Sequence, residues 1–203
     1  RGTNFGVYDL DFKVLYTIAF NALFGADNTN TEGLALGLAG DRTPNLLYRI
    51  QNGELPSSNN INNDWVIWIL IGTNDLSDDC SREAILVGII NIVKVLDELL
   101  SSSSGGTTTT TTTIVLNGIL PRESFLFGDL IDWINERLEC FANVHVPSSS
   151  SLRVAYYDAT NIFLNFFGTD VSYIIMPDGL HPNPLGMYKW GRAIANEVNQ
   201  ILG

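Results

Sequence analysis

Leu10, Val14, Leu15, Ile18, Ala19 and Ala22 recur every three or four positions, the spacing of a helix with one apolar face. Asp9 stands ahead of them as a capping residue, so a helix is expected from there to Phe24. The next apolar stretch, "GLALGLAG" (33–40), reads as a short buried strand ending in glycines. A second helix should open at Thr43, with Pro44 at its first position and Gly53 just past its end. "DWVIWILIG" (64–72) is apolar throughout, as a parallel strand covered on both faces would be.

From Ser81, "REAILVGIINIVKVLDELL" returns to helical periodicity. The polar tract "SSSSGGTTTTTTT" (101–113) offers nothing to anchor in a core and predicts a surface loop. Beyond it come a strand in "TIVLNGILP", a helix in "SFLFGDLIDWINERLECFA", a strand in "LRVAYYDAT" and a closing helix in "NPLGMYKWGRAIANEVNQIL". Strands alternating with helices predict an α/β protein with a parallel sheet. With no internal repeat, residues 1–203 are expected to form one domain carrying the loop at 101–113.

Composition narrows the function more than the fold. Hydrophobic residues make up 45% of the 203, enough for a core, yet no apolar run approaches the roughly 18 residues of a membrane span. A net charge of −11, with Lys13, Lys94 and Lys189 the only lysines, leaves no basic patch to neutralise phosphates, which argues against nucleic-acid partners. Two cysteines, Cys80 and Cys140, define no disulfide framework, and two histidines make no His-rich metal site. Nothing in the chain indicates a compartment.

Three short segments carry candidate chemistry. "GTND" (72–75) follows the most apolar strand, and ligands of open α/β sheets bind beyond the carboxyl ends of strands. Asn74 there can aim an amide N–H at developing negative charge, although Gly, Asn and Asp are also ordinary turn residues. "LGLAGDRT" enters a helix and leaves the backbone N–H of Gly40 in an anion-favourable position, or forms a plain glycine turn. "MPDGLHPNP" (176–184) sets Asp178 and His181 three apart. A carboxylate at that spacing can hold one imidazole nitrogen and leave the other to handle a proton; a local loop hydrogen bond is the alternative.

In order, "GDRTPNLLYRIQNGEL", "GTND" and "DGLHPN" resemble three of the four sequence blocks of the SGNH (GDSL-type) hydrolases, in the platelet-activating-factor acetylhydrolase-like branch. The resemblance implies a three-layer α/β/α sandwich with a flavodoxin-like parallel sheet. It also implies ester hydrolysis by acyl transfer, without metal or organic cofactor. By position it makes His181 the general base, Asp178 its orienting carboxylate, and the Gly40 N–H and Asn74 side chain two oxyanion-hole donors. The substrate it implies is a small ester or an acetylated compound.

The remaining block, Gly-Asp-Ser with the nucleophile, does not occur in the chain. Two expectations follow. Either the first strand and its serine lie upstream of Arg1, with which the absence of an initiating methionine agrees, or "FGVYDLD" is a degenerate block with Tyr8, Asp9 and Leu10 near the nucleophile position. The first is preferred, because the family's sheet order makes that strand an interior one whose loss would strand backbone polar groups. Ser77, Cys80 and Thr3 belong to no nucleophile motif, and Asp78 and Asp79 oppose thiolate formation at Cys80. His145, alternating with apolar residues in "NVHVP", reads as a strand or loop histidine. The expected function is therefore a serine esterase or acetylhydrolase; the alternative is an inactive member that keeps the fold as a scaffold for protein partners.

Overall fold

The computed structural model describes residues 15, 17–18, 20–25, 32–55, 64–102, 111–123, 127–148 and 151–203. Its backbone contacts divide the chain into two compact units: 37–120 with 124–158, and 1–36 with 121–123 and 159–203.

The first of these units holds the sheet. Among the described residues three strands, β1 (Trp65–Ile69), β2 (Thr112–Asn117) and β3 (Leu152–Tyr157), pair in parallel in that order. Trp65 lies opposite Thr112, and Thr112 opposite Leu152. Parallel neighbours need long crossovers, and helices supply them. A helix α1 (Thr43–Gln51) precedes β1; a short α2 (Thr73–Ser77) and a long α3 (Arg82–Ser102) join β1 to β2; α4 (Gly128–Val144) joins β2 to β3.

Helical spacing explains the core. Ile85, Ile89, Ile92, Val93 and Leu96 fall on one stripe of α3 and are buried with Ile114 and Leu116 of β2 and Ile131, Ile134 and Leu138 of α4. Each such side chain contributes roughly 1.5–3 kcal/mol by leaving water. The opposite sheet face carries Trp68, whose indole donates to Asn117 Oδ1 at 3.1 Å and whose ring lies 5.0 Å from that of Tyr157. Beyond β2, the Asn135 amide of α4 clamps the Ile119 backbone, accepting from its N–H at 2.8 Å and donating to its carbonyl at 3.0 Å.

In the other unit a short α5 (Thr160–Phe163) is followed by an antiparallel bridge between Leu164 and Val171, a run of turns, and α6 (Pro184–Leu202). Asn183 caps α6, accepting from the Gly186 N–H at 3.0 Å, with Pro184 in the first turn.

Several expectations are corrected. "GLALGLAG" forms no strand: Leu34, Leu36 and Leu38 are exposed, and the segment joins no ladder. Its other face holds only Ala35, Gly37 and Ala39, too little apolar area to fix a strand without a paired neighbour. Ile69 alone in β1 is fully buried and the strand's other four residues are half-buried, because β1 is an edge of the described sheet. Residues 20–24 are helical as expected, but Leu15 and Ile18 are exposed while Leu23 packs on Gly191 of α6. The polar tract is shorter than its composition implied: Ser101 and Ser102 finish α3, Thr112 and Thr113 belong to β2, and Thr113 is buried. Residues 103–110 lie outside the described residues, as do Thr3 and the Tyr8–Leu10 segment.

Candidate active site

Asp178 and His181 sit in the turn between Met176 and α6. The Asp178 carboxylate folds back on its own loop: Oδ1 accepts from the N–H groups of Leu180 (2.9 Å) and His181 (2.7 Å), and Oδ2 lies 2.7 Å from Nδ1 of the His181 ring. The backbone bonds fix the carboxylate, and the carboxylate then fixes the ring. Partial burial alone would push the Asp178 carboxyl up; the His181 N–H, the His181 imidazole and the Leu180 N–H outweigh it and hold the group at about 2. Asp178 is therefore anionic at neutral pH. The His181 side chain is 75% exposed, so Nε2 is left to solvent or a substrate.

This turn depends on Gly179. Its φ is +72°, and a Cβ there would collide with the side chain of Glu123. Glu123 in turn donates its backbone N–H to the Gly179 carbonyl at 2.6 Å. Its carboxylate accepts from the Tyr173 hydroxyl, which raises the phenol's ionisation above its ordinary value. Sequence reasoning missed Glu123 and Tyr173, which are distant in the chain from Asp178 and carry no motif. On the far side of His181, Asn183 donates from its backbone to Ile175 O and from its side chain to Ile174 O, both at 2.8 Å. The histidine loop is thus held from both flanks.

The other unit brings the two remaining predicted residues together. Asn74 lies in α2, immediately beyond β1, and its Nδ2 donates to the Asp41 carbonyl at 2.8 Å, next to Gly40. Gly40 has φ +83° and open space where a Cβ would stand. No hydrogen bond engages the Gly40 N–H among the described residues, and Asn74 Nδ2 carries a second hydrogen. Arg49 holds this loop by pairing with Asp41 (2.5 Å) and with Glu54.

Asp75 of "GTND" has a different duty from its neighbour. It is buried, and its carboxylate accepts from the Thr43 N–H (3.1 and 3.2 Å) and hydroxyl (2.7 Å) at the start of α1. The motif's aspartate is thus the brace that ties the Asn74 turn to the helix following Gly40. An acidic group at a helix start is favourable by charge as well as by hydrogen bonding. Cys80 packs against the core and Cys140 is exposed; both are free thiols. Ser77 is exposed, its hydroxyl 3.4 Å from the Thr73 carbonyl. His145 follows α4 in the loop, one of the two places expected for it, and its N–H donates to Phe141 O. Among the described residues no cluster of His, Cys, Asp or Glu could hold a metal ion, and no helix is long and apolar enough to cross a membrane.

A parallel sheet flanked by helices defines the class of α/β folds. Residues 13–189 match the model of the GDSL-like Lipase/Acylhydrolase family, and the chain belongs to that family. The fold is similar to that of a Bacteroides fragilis protein described as an acylhydrolase (16% identity, TM-score 0.65, 95% of this chain and 85% of that one). It is also similar to a Streptococcus pneumoniae protein described as a platelet activating factor (17% identity, TM-score 0.61, 97% and 99%). A carbohydrate esterase of family 3 from Talaromyces cellulolyticus shares the fold at 13% identity (TM-score 0.56, 93% and 90%). No curated protein shows significant similarity to the chain.

Proposed function

We propose that the chain carries the base and oxyanion-stabilising parts of a serine-type ester hydrolase acting on a small ester or acetylated compound. The observation that carries this reading is the 2.7 Å contact between Asp178 Oδ2 and His181 Nδ1, with Nε2 left exposed. In this chemistry a seryl hydroxyl attacks the ester carbonyl while His181 Nε2 takes its proton. The imidazolium, stabilised by ionised Asp178, then gives that proton to the leaving alcohol. Water repeats the cycle on the acyl-enzyme. The Gly40 N–H and Asn74 Nδ2 are the donors suited to the oxyanion, each having a hydrogen not committed elsewhere among the described residues. Residues 1–203 serve as one functional domain in this reading.

The lack of any Gly-Asp-Ser in the chain favours a second reading, an inactive scaffold for protein partners. One experiment separates them. The 203-residue chain is assayed on a short-chain aryl ester beside a version extended at its N-terminus by a Gly-Asp-Ser segment. The chain itself should give no His181-dependent turnover, and the extended version should hydrolyse the ester. An extended chain that stays inert favours the scaffold. Activity of the 203 residues that survives Cys80→Ala would mean the nucleophile is another residue.

A further inference from the structure

The segment from Asn165 to Ile174 exposes apolar side chains to a degree its neighbours do not. Phe166 is 97% exposed, Phe167 83%, Ile174 77% and Tyr173 52%. Single exposed apolar residues need no explanation, but four within nine positions leave an unusual amount of apolar surface to water. The turn is fixed by its own polar groups. Asn165 N donates to Asp170 O (2.7 Å) and Gly168 N to Asn165 O (2.9 Å). Asn165 Oδ1 accepts from the N–H groups of Phe167 (3.0 Å) and Thr169 (3.2 Å), and the Thr169 hydroxyl donates to Asp170 (2.8 Å). The two phenyl rings stand edge-on, 5.6 Å apart.

This segment runs directly into the histidine loop. Asn183, two residues past His181, grips the Ile174 carbonyl, and Tyr173 holds Glu123, which holds Gly179. Tyr173 and Ile174 therefore border the loop carrying the base. A leaving alcohol must come within hydrogen-bond reach of a histidine that protonates it, so whatever borders that histidine meets the alcohol portion of the ester.

We propose that Phe166, Phe167, Tyr173 and Ile174 form an apolar platform that seats a hydrocarbon alcohol portion, aryl or alkyl, of the ester beside His181. The inference rests on the ester-hydrolase reading and adds the class of alcohol. A sugar would need hydrogen-bonding partners, and Asn165, Thr169 and Asp170 are engaged with one another and the Tyr173 hydroxyl with Glu123.

The test reads binding, so it does not depend on turnover. Phenyl acetate and a monoacetylated methyl xyloside share the acetyl group and differ in the alcohol. Each is titrated into the labelled chain while the Ile174 methyl and His181 ring resonances are followed. Phenyl acetate should bind about fivefold or more tighter, and Ile174→Ser or the pair Phe166→Ser/Phe167→Ser should remove that preference. These side chains are exposed, so the variants keep the core. Equal affinity for the two esters, or a preference that both variants retain, overturns the platform. A preference present in a Gly-Asp-Ser-extended chain that hydrolyses neither ester would leave the platform standing and sink the hydrolase reading instead. Hydrolysis without preference would do the reverse.

Discussion

Each compact unit holds one histidine beside one aspartate, and the two pairs are built for different work. Asp178 and His181 are 55% and 75% exposed and 2.7 Å apart, with the carboxylate steering the ring. Asp97 and His145 are 6% and 14% exposed and 3.9 Å apart, beyond hydrogen-bond distance. Asp97 spends its oxygens elsewhere: on the Ser148 N–H (2.9 and 3.1 Å), the Ser148 hydroxyl (2.9 Å) and the Ser101 hydroxyl (3.1 Å). His145 lies with its ring 4.8 Å from that of Phe141, and its buried Nε2 finds no hydrogen-bond partner among the described residues. A carboxylate that ties the end of α3 to the chain after α4 is a structural staple. One that grips an exposed ring is an orienting group. Proximity of Asp to His does not separate these cases; what each oxygen accepts, and what water can reach, does.

The largest expected effect sharpens this contrast. In a hydrolytically competent, Gly-Asp-Ser-extended chain, His181→Ala should lower kcat on an aryl ester by roughly a thousandfold or more. Asp178→Asn, which favours the wrong imidazole tautomer, should cost up to about ten-thousandfold. His145→Ala should leave kcat within about threefold, since nothing assigns it to the reaction. Comparable losses at both histidines would erase the distinction.

Stability should rank the pairs the other way. Asp97→Ala leaves a backbone N–H and two hydroxyls without their acceptor, and should cost about 2–3 kcal/mol in denaturant unfolding. Asp178→Ala, at an exposed turn, should stay within about 1 kcal/mol. A chain that tolerates loss of Asp97 as easily as loss of Asp178 would show that the staple holds nothing.

A smaller effect appears on acidification. Because the folded Asp178 carboxyl is held at about 2, below its unfolded value of 3.8, its stabilising contribution is complete only well above pH 3.8 and is lost as pH falls through 3.8 towards 2. Carbon-detected titration of the Asp178 carboxyl should give a midpoint near 2, and His181→Ala should move it upward. An ordinary aspartate midpoint in the parent chain would mean the turn does not persist in solution.

The same comparison explains what the sequence could disclose. Asp178 and His181 are three residues apart, so their contact was legible as a spacing. Asp97 and His145 are far apart in the chain, and only packing of α3 against α4 brings them together. Long helices and the parallel strands showed through because their periodicity is local: the stripe on α3, the Pro44 start of α1 and the extent of α6 all fall where expected. "GLALGLAG" misled because a strand is a relation between segments, and alternation of leucine with alanine and glycine cannot say whether a partner is present. Asp75 was hidden for a similar reason. Its motif marked a turn, whereas its buried bonds to Thr43 depend on how α1 meets that turn.

The smallest effect is the most discriminating for the buried pair. His145 gains ring contact with Phe141 but leaves a buried nitrogen unbonded, and such a group carries a desolvation cost without a compensating hydrogen bond. His145→Phe keeps a planar ring against Phe141 and removes the polar atom. Asp97 loses no hydrogen bond, because all those it makes are to Ser148 and Ser101. Stability should therefore be unchanged or rise by up to about 1 kcal/mol, read from the denaturant midpoint at neutral pH. Under the same substitution the paired histidine behaves oppositely: His181→Phe should leave stability nearly constant and abolish the proton-handling role of the loop. If His145→Phe lowered stability by more than about 1 kcal/mol, the 3.9 Å separation from Asp97 would have to close in solution, and His145 would count as a partner of that carboxylate after all.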